Sequence, residues 1–162
     1  GTRCGDLDLG VLLFLMEKEK MCCSELNDLI NKRSGMLGIT GVSSDMRNIN
    51  QAANDGNSRA ELGLQLYAYT VRKYIGAYAA VLNGVDLVIF TGGIGENDYQ
   101  SRERILKDMD YLGLEFDAEA NAKLIGVDGE ITKPGSRVVA LVVGTNEELV
   151  IASDTFDILS KP

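Results

Sequence analysis

Leu87-Val88-Ile89-Phe90 runs without a break into Thr91-Gly92-Gly93-Ile94-Gly95-Glu96-Asn97, and the architecture can be read outward from that junction. A short apolar, β-branched run bounded by Asn83-Gly84 and Thr91-Gly92 predicts a buried strand. The glycines allow a tight turn and let backbone N–H groups come close to a ligand. Ser101-Arg102-Glu103-Arg104-Ile105-Leu106 beyond them reads as a helix reaching about Tyr111. Strand, glycine-rich turn and helix together can cradle phosphate oxygens on unpaired backbone donors. The spacing matches neither G-x-x-x-x-G-K-S/T nor G-x-G-x-x-G, and a purely structural turn accounts for the glycines equally well.

A second junction of the same kind lies downstream. Residues 137–143 are nearly continuous valine, leucine and alanine, and predict a second fully buried strand. They run into Gly144-Thr145-Asn146-Glu147-Glu148, where a last helix starts and continues to about Leu159. Two strand–loop–helix units, each with polar residues where the strand ends, imply an α/β domain with a mostly parallel sheet flanked by helices. Its site belongs at the carboxyl edge of that sheet. Residues 118–124 read as a short helix and 130–133 as a brief strand.

Upstream the pattern is helical. Leu12, Leu13 and Met16 mark a helix over 9–19. Ser24 starts another, with Leu26, Leu29 and Ile30 on one face and Gly35 as its C′ stop. Residues 38–44 read as a glycine-punctuated connection and 48–55 as a short helix. Ser58 with Glu61 three residues later has capping-box spacing and opens the longest helix, ended by Asn83-Gly84. Gly63 and Gly76 inside it each weaken it by about 1 kcal/mol relative to alanine; close packing explains them better than chemistry does. With 162 residues and no linker, repeat or low-complexity stretch, the chain reads as one domain.

Composition removes several function classes. A net charge of −8 and a pI near 4.6 leave no basic stripe for nucleic acid. No apolar run approaches the roughly 18 residues of a membrane span. Three cysteines, with Cys22 and Cys23 adjacent, make neither a disulfide framework nor a C-x-x-C site, so free thiols in a reducing cytoplasm are expected. The absence of histidine rules out a Ser-His-Asp triad or an imidazole base within these residues. Gly1 to Asp8 is glycine-rich, polar and opens no targeting sequence; the expectation is a piece of a larger protein.

Four segments carry a family resemblance: Gly1-Thr2-Arg3-Cys4-Gly5-Asp6-Leu7-Asp8, Ser43-Ser44-Asp45-Met46-Arg47, Phe90-Thr91-Gly92-Gly93-Ile94-Gly95-Glu96-Asn97 and Thr145-Asn146-Glu147-Glu148-Leu149. In this order and spacing they resemble the C-terminal half of the acetate kinases. Each segment alone is modest, and four in register are specific. Leu9 stands where that family usually has proline, and Ser153 where it commonly has arginine. The family's N-terminal half, with its Asn-x-Gly-Ser-Ser-Ser loop, histidines, a further arginine and a catalytic aspartate, has no counterpart here.

The resemblance implies a ribonuclease-H-like domain of the actin-like ATPase superfamily, with residues 1–162 as the nucleotide-binding half of a two-domain kinase. It implies reversible phosphoryl transfer from ATP to acetate, giving acetyl phosphate and ADP, with Mg²⁺. Arg3 matches the arginine that stabilises the transition state. Asp45, Met46 and Arg47 match adenosine contacts, with Asp45 accepting from a ribose hydroxyl and Arg47 stacking on adenine. Ser44 or Asp45 as a helix cap is compatible with this. Gly93, Ile94, Gly95, Glu96 and Asn97 match the contacts to the phosphates and ribose side. Glu147 matches the acidic residue near Mg²⁺, with Glu148 as the alternative, and acidic residues also suit a helix's first turn.

The resemblance also implies a homodimer, and Tyr67, Tyr69, Tyr74 and Tyr78 on the long helix are costly to leave wet together; the free cysteines put it in the cytoplasm. Acting alone, the chain is expected to be inactive. A butyrate or propionate kinase half, and a non-catalytic ATP-binding or dimerising module, are the alternatives.

Overall fold

The computed structural model describes residues 1–160, with the side chain of Glu147 outside the description. The chain divides into two compact units, Gly1–Val71 and Arg72–Pro162.

The first unit is helical. Helix α1 (Leu9–Glu19) starts where the Asp8 carboxylate accepts from the Gly10 N–H at 2.8 Å, and it buries none of its residues. Helix α2 (Cys23–Lys32) begins one residue ahead of Ser24, because Glu25 reaches back to the Cys22 N–H at 2.8 Å. It also stops before Gly35. That glycine, at φ +60°, instead opens helix α3 (Gly35–Thr40), so the expected connection over 38–44 is half helix. Packing outweighs the low helix propensity of Gly35 and Gly38. Met36 enters the core, and the buried Thr40 hydroxyl donates to the Met36 carbonyl at 2.7 Å.

Helix α4 (Met46–Asn54) follows, then α5 (Ser58–Val81), whose residues from Arg72 on belong to the second unit. The cap of α5 is Asn57 rather than Ser58: its Oδ1 accepts from Arg59 N at 3.0 Å and Ala60 N at 3.1 Å. Met36, Met46, Ile49, Ala60 and Leu64 form the core, with Ala52, Ala53 and Tyr67 against it. Gly63 is a packing glycine as expected, since a Cβ there would stand 2.5 Å from Thr40 Cγ2.

In the second unit the elements run β1 (Leu87–Phe90), α6 (Gly92–Asn97), α7 (Tyr99–Leu106), a 3-10 turn (Asp110–Leu112), α8 (Ala118–Lys123), β2 (Gly129–Glu130), β3 (Val139–Val142) and α9 (Glu147–Ser160). The sheet order is β1-β3-β2. β1 and β3 pair parallel, Leu87 opposite Val139 through Phe90 opposite Val142, and β2 is antiparallel to β3. The sheet is therefore mixed, its parallel pair formed by the two strands read from the sequence.

Neither strand is fully buried, contrary to expectation. In β1 Phe90 is buried while Leu87 and Ile89 are exposed, and in β3 only Ala140 and Val142 are buried. Apolar residues occupy both faces, and the described residues cover one. Helix α7 ends at Leu106, five residues early, where Arg72 pairs with Asp108 and donates to the Arg104 carbonyl at 2.9 Å. Gly76 is also a packing position: a Cβ would lie 3.2 Å from the Tyr111 hydroxyl. No helix among the described residues is long and apolar enough to cross a membrane.

Candidate functional site

Because β1 and β3 are parallel and in register, their carboxyl ends leave the sheet side by side, and Val143 N donates to Phe90 O at 2.9 Å. The glycine-rich segment is there a short helix rather than a loop, with Thr91 extended as its N-cap. Its glycines have separate tasks. Gly92 takes φ +71°, which favours glycine. A Cβ on Gly95 would stand 3.0 Å from the Phe90 carbonyl carbon, so Gly95 lets α6 lie against the end of β1. Gly93 alone of the three combines an ordinary φ with open space, no atom lying within 4 Å of its Cβ position. It is the one suited to close approach by a ligand, and the exposed Ile94 lies beside it.

Glu96 turns inward on the protein. Its Oε1 accepts from Gly92 N at 2.8 Å, Thr145 N at 2.9 Å and Thr145 Oγ1 at 2.8 Å. The Thr145 bonds, ahead of that from Gly92, hold this carboxyl below the usual carboxylate range. Asn97 Nδ2 donates to Gly93 O at 3.1 Å.

Arg102 was legible only as a helix residue, and it is almost fully buried. Its guanidinium donates to Gly95 O at 2.7 Å, Asn121 Oδ1 at 2.7 Å, Asn121 O at 3.0 Å and Leu124 O. Burial pushes its pKa down, against the opposing pull of Asp98. Placed near the carboxyl ends of α6 and α8, the cation offsets both helix dipoles and fixes the glycine segment from behind. A signal did exist: 102, 105 and 106 share one helical face, and an arginine in register with Ile105 and Leu106 is out of place unless it has partners.

In the first unit, Asp45 caps α4 by accepting from Arg47 N at 2.9 Å. The same carboxylate takes the edge of the Arg47 guanidinium, Nε at 3.1 and 3.2 Å and a terminal nitrogen at 2.6 Å. The Arg47 side-chain bond foremost, then the backbone bond, lowers the Asp45 pKa to about 2. With its edge held, the Arg47 side chain remains 89% exposed, so its planar faces are available. The Met46 side chain lies in the core.

Segment 1–4 is stitched to α2 and α3: Cys4 N donates to Ile30 O, Ser34 N to Thr2 O and Leu37 N to Gly1 O, at 2.8 to 3.0 Å. A Cβ on Gly1 would touch the Ser44 carbonyl at 3.1 Å, which puts this strand of chain beside the Asp45 segment. Arg3 is exposed. Glu147, expected near the metal, opens α9 with its backbone, and its side chain lies outside the described residues; Glu148 is exposed beside it. Among the described residues no three potential ligands converge. An exposed carboxylate at a helix start fits Mg²⁺ held by one or two carboxylates, water and phosphates, not a protein cage.

An α/β unit with a mixed sheet, a glycine segment at the end of one parallel strand and an acidic helix start at the end of the next is the fold of acetate and propionate kinases, of the actin-like ATPase type. The structure superposes on crystal structures of acetate kinase from Porphyromonas gingivalis (TM-score 0.92, 50% identity, 98% of this chain and 40% of that one) and from Entamoeba histolytica (0.88, 31%, 96% and 41%). It also superposes on a propionate kinase from Francisella tularensis (0.85, 33%, 94% and 38%). The acetokinase family model matches residues 1–153. The chain is 52% identical over 159 residues to the acetate kinase of P. gingivalis and 54% over 162 residues to that of Caldicellulosiruptor bescii. The chain belongs to the acetokinase family. It spans about 40% of the length of the curated relatives it matches.

Proposed function

We propose that these residues are the C-terminal, nucleotide-binding part of an acetate kinase, which transfers the γ-phosphoryl group of ATP to acetate and works in reverse as well. The observation that supports it most is the in-register pair of strand ends carrying Gly93 and Thr145, in a chain half identical to acetate kinases along nearly its whole length. An acetate oxygen attacks the γ-phosphorus, the bond to the β,γ-bridging oxygen breaks, and ADP leaves with that electron pair.

Each segment has a task in that step. Arg47, its edge held by Asp45, offers a face to adenine. Gly93 lets the backbone approach the nucleotide, and Ile94 adds apolar contact. Arg3 donates two parallel hydrogen bonds to oxygens of the transferring group, where charge spreads in the transition state. Glu147, or Glu148 next to it, holds Mg²⁺, which when bound neutralises charge on the phosphate oxygens. Positioning supplies most of this catalysis, so residues 1–162 alone are inactive in this reading. The working protein is a cytoplasmic homodimer joined through the exposed tyrosine-bearing face of α5.

The likeness to a propionate kinase supports a second reading, a kinase for a slightly longer acyl group. A hydroxamate assay on the full-length protein with ATP, Mg²⁺ and either acid tests both. Acyl phosphate from acetate is expected. Formation from propionate alone moves the assignment to the second reading, and formation from neither overturns both.

A further inference from the structure

We propose that Glu96 is a positioning residue that acts through Thr145 on the start of α9. The proposal rests on the kinase reading given above and assigns Glu96 a task within it other than touching the nucleotide.

Three donors share one oxygen of this carboxylate: Gly92 N, Thr145 N and Thr145 Oγ1, at 2.8 to 2.9 Å. That oxygen is filled by the protein, and a carboxylate seated on the Gly92 amide opposes an anionic phosphate there. The two Thr145 donors fix both the backbone and the side-chain rotamer of that residue. Asn146, next in the chain, caps α9 by accepting from Leu149 N at 2.9 Å. The orientation of Glu96 is thus passed over two residues to the turn that carries Glu147 and Glu148.

The opposite end of the link is rigid. Gly126 N donates to the Glu96 carbonyl at 3.0 Å, and buried Arg102 holds the adjoining Gly95 carbonyl at 2.7 Å. Glu96 therefore projects from a fixed base toward an exposed segment, 144–146, which is also held at its start by Gly144 N donating to Asp128 Oδ1 at 2.7 Å. Removing Glu96 leaves the base in place and frees the first turn of α9.

The experiment uses full-length protein with Glu96→Ala, which removes the acceptor that a glutamine would keep, Thr145→Val, Thr145→Ser and the Glu96→Ala/Thr145→Val double variant. Mn²⁺ affinity of the protein–ADP complex is read by electron paramagnetic resonance, metal-free ADP affinity by calorimetry, and kcat and KM separately. Glu96→Ala and Thr145→Val are each expected to weaken Mn²⁺ binding by about ten- to a hundredfold, as outer-shell substitutions do. Metal-free ADP affinity should stay within about twofold, the double variant should be no worse than the worse single one, and Thr145→Ser should behave as the parent. Loss of metal-free ADP binding in Glu96→Ala, additive with Thr145→Val, would make Glu96 a nucleotide contact and overturn the proposal. So would parental Mn²⁺ affinity in Thr145→Val. Should Glu96→Ala fail to fold, the comparison of Thr145→Val with Thr145→Ser still decides. Kinase activity of the unsubstituted protein tests the functional reading separately.

Discussion

The start of α4 and the start of α6 are built alike and used differently. In each a carboxylate occupies backbone N–H groups at a helix start: Asp45 on Arg47 N, Glu96 on Gly92 N. Asp45 spends the rest of its capacity on a neighbour two residues away and leaves the faces of Arg47 in solvent. Glu96 spends the rest of that oxygen's capacity on Thr145, 49 residues away. The first region displays cationic side chains; the second consumes its polar groups in its own construction. An exposed guanidinium can exchange water for a ligand at little cost, whereas a satisfied buried one such as Arg102 cannot be redirected without leaving orphaned carbonyls.

The largest effect should therefore come from the displayed cations. Arg3 is exposed on a segment tied down on both sides of it, so its backbone is fixed and its guanidinium is free to meet charge. In the full-length protein Arg3→Ala is expected to lower kcat by about 10³-fold, as loss of such arginines does in phosphoryl transfer, with a much smaller change in KM. Arg3→Lys keeps the charge without the planar fork and should also be badly impaired. Steady-state kinetics with ATP and acetate varied separately check this. A near-parental kcat with a raised KM would make Arg3 a binding residue and erase the contrast between displayed and consumed charge.

Within α6 the contrast predicts unequal glycines. Gly95→Ala places a methyl 3.0 Å from the Phe90 backbone, which cannot swing aside as a side chain can. Overpacking of this kind costs about 1–3 kcal/mol, and denaturant unfolding should report it. Gly93→Ala meets no atom within 4 Å and should leave stability near the parent's while weakening nucleotide binding. Equal loss of stability in both variants would mean that the segment has no open side.

What the sequence disclosed follows the same division. Strand 87–90 and the end of α5 just before Asn83-Gly84 were legible because each depends on neighbours along the chain; the parallel pairing of β1 and β3, distant in sequence, was legible through the repeated strand–turn–helix order. Of the two caps the sequence offered, Ser44 and Asp45, the structure takes Asp45. The helix over Gly35–Thr40 was not, since glycines signal a loop and only the packing of Met36 and Thr40 in the core reverses that. The exposed faces of β1 and β3 were missed for a related reason: apolar composition states what could be buried, not what covers it. Arg102 and the Glu96–Thr145 link pair residues 19 and 49 positions apart. The helical register of Arg102 signals that it has partners, but neither pairing has a local pattern that names them.

The smallest predicted effect lies at Asp45, and its sign can be worked out. Its pKa is lowered from 3.8 to about 2, chiefly by the Arg47 guanidinium and then by the Arg47 amide. A carboxyl whose pKa is lower in the folded than in the unfolded chain binds more protons when unfolded, so the link adds stability wherever the carboxylate is ionised in both states. That contribution is complete above 3.8 and is lost as pH falls through about 2. The pair is solvent-exposed, which keeps its size small. Unfolding midpoints followed from neutral pH downward should therefore fall more steeply in the parent than in Asp45→Asn between those two values. The two curves should draw together at the acid end, because the amide retains the cap to Arg47 N without titrating. High salt should shrink the difference, since screening weakens an exposed ion pair but hardly affects a neutral cap. Parallel curves throughout would mean that Arg47 leaves Asp45 in solution. Its guanidinium edge would then be as free as its faces, and the fixed orientation that suits it to stacking would be lost.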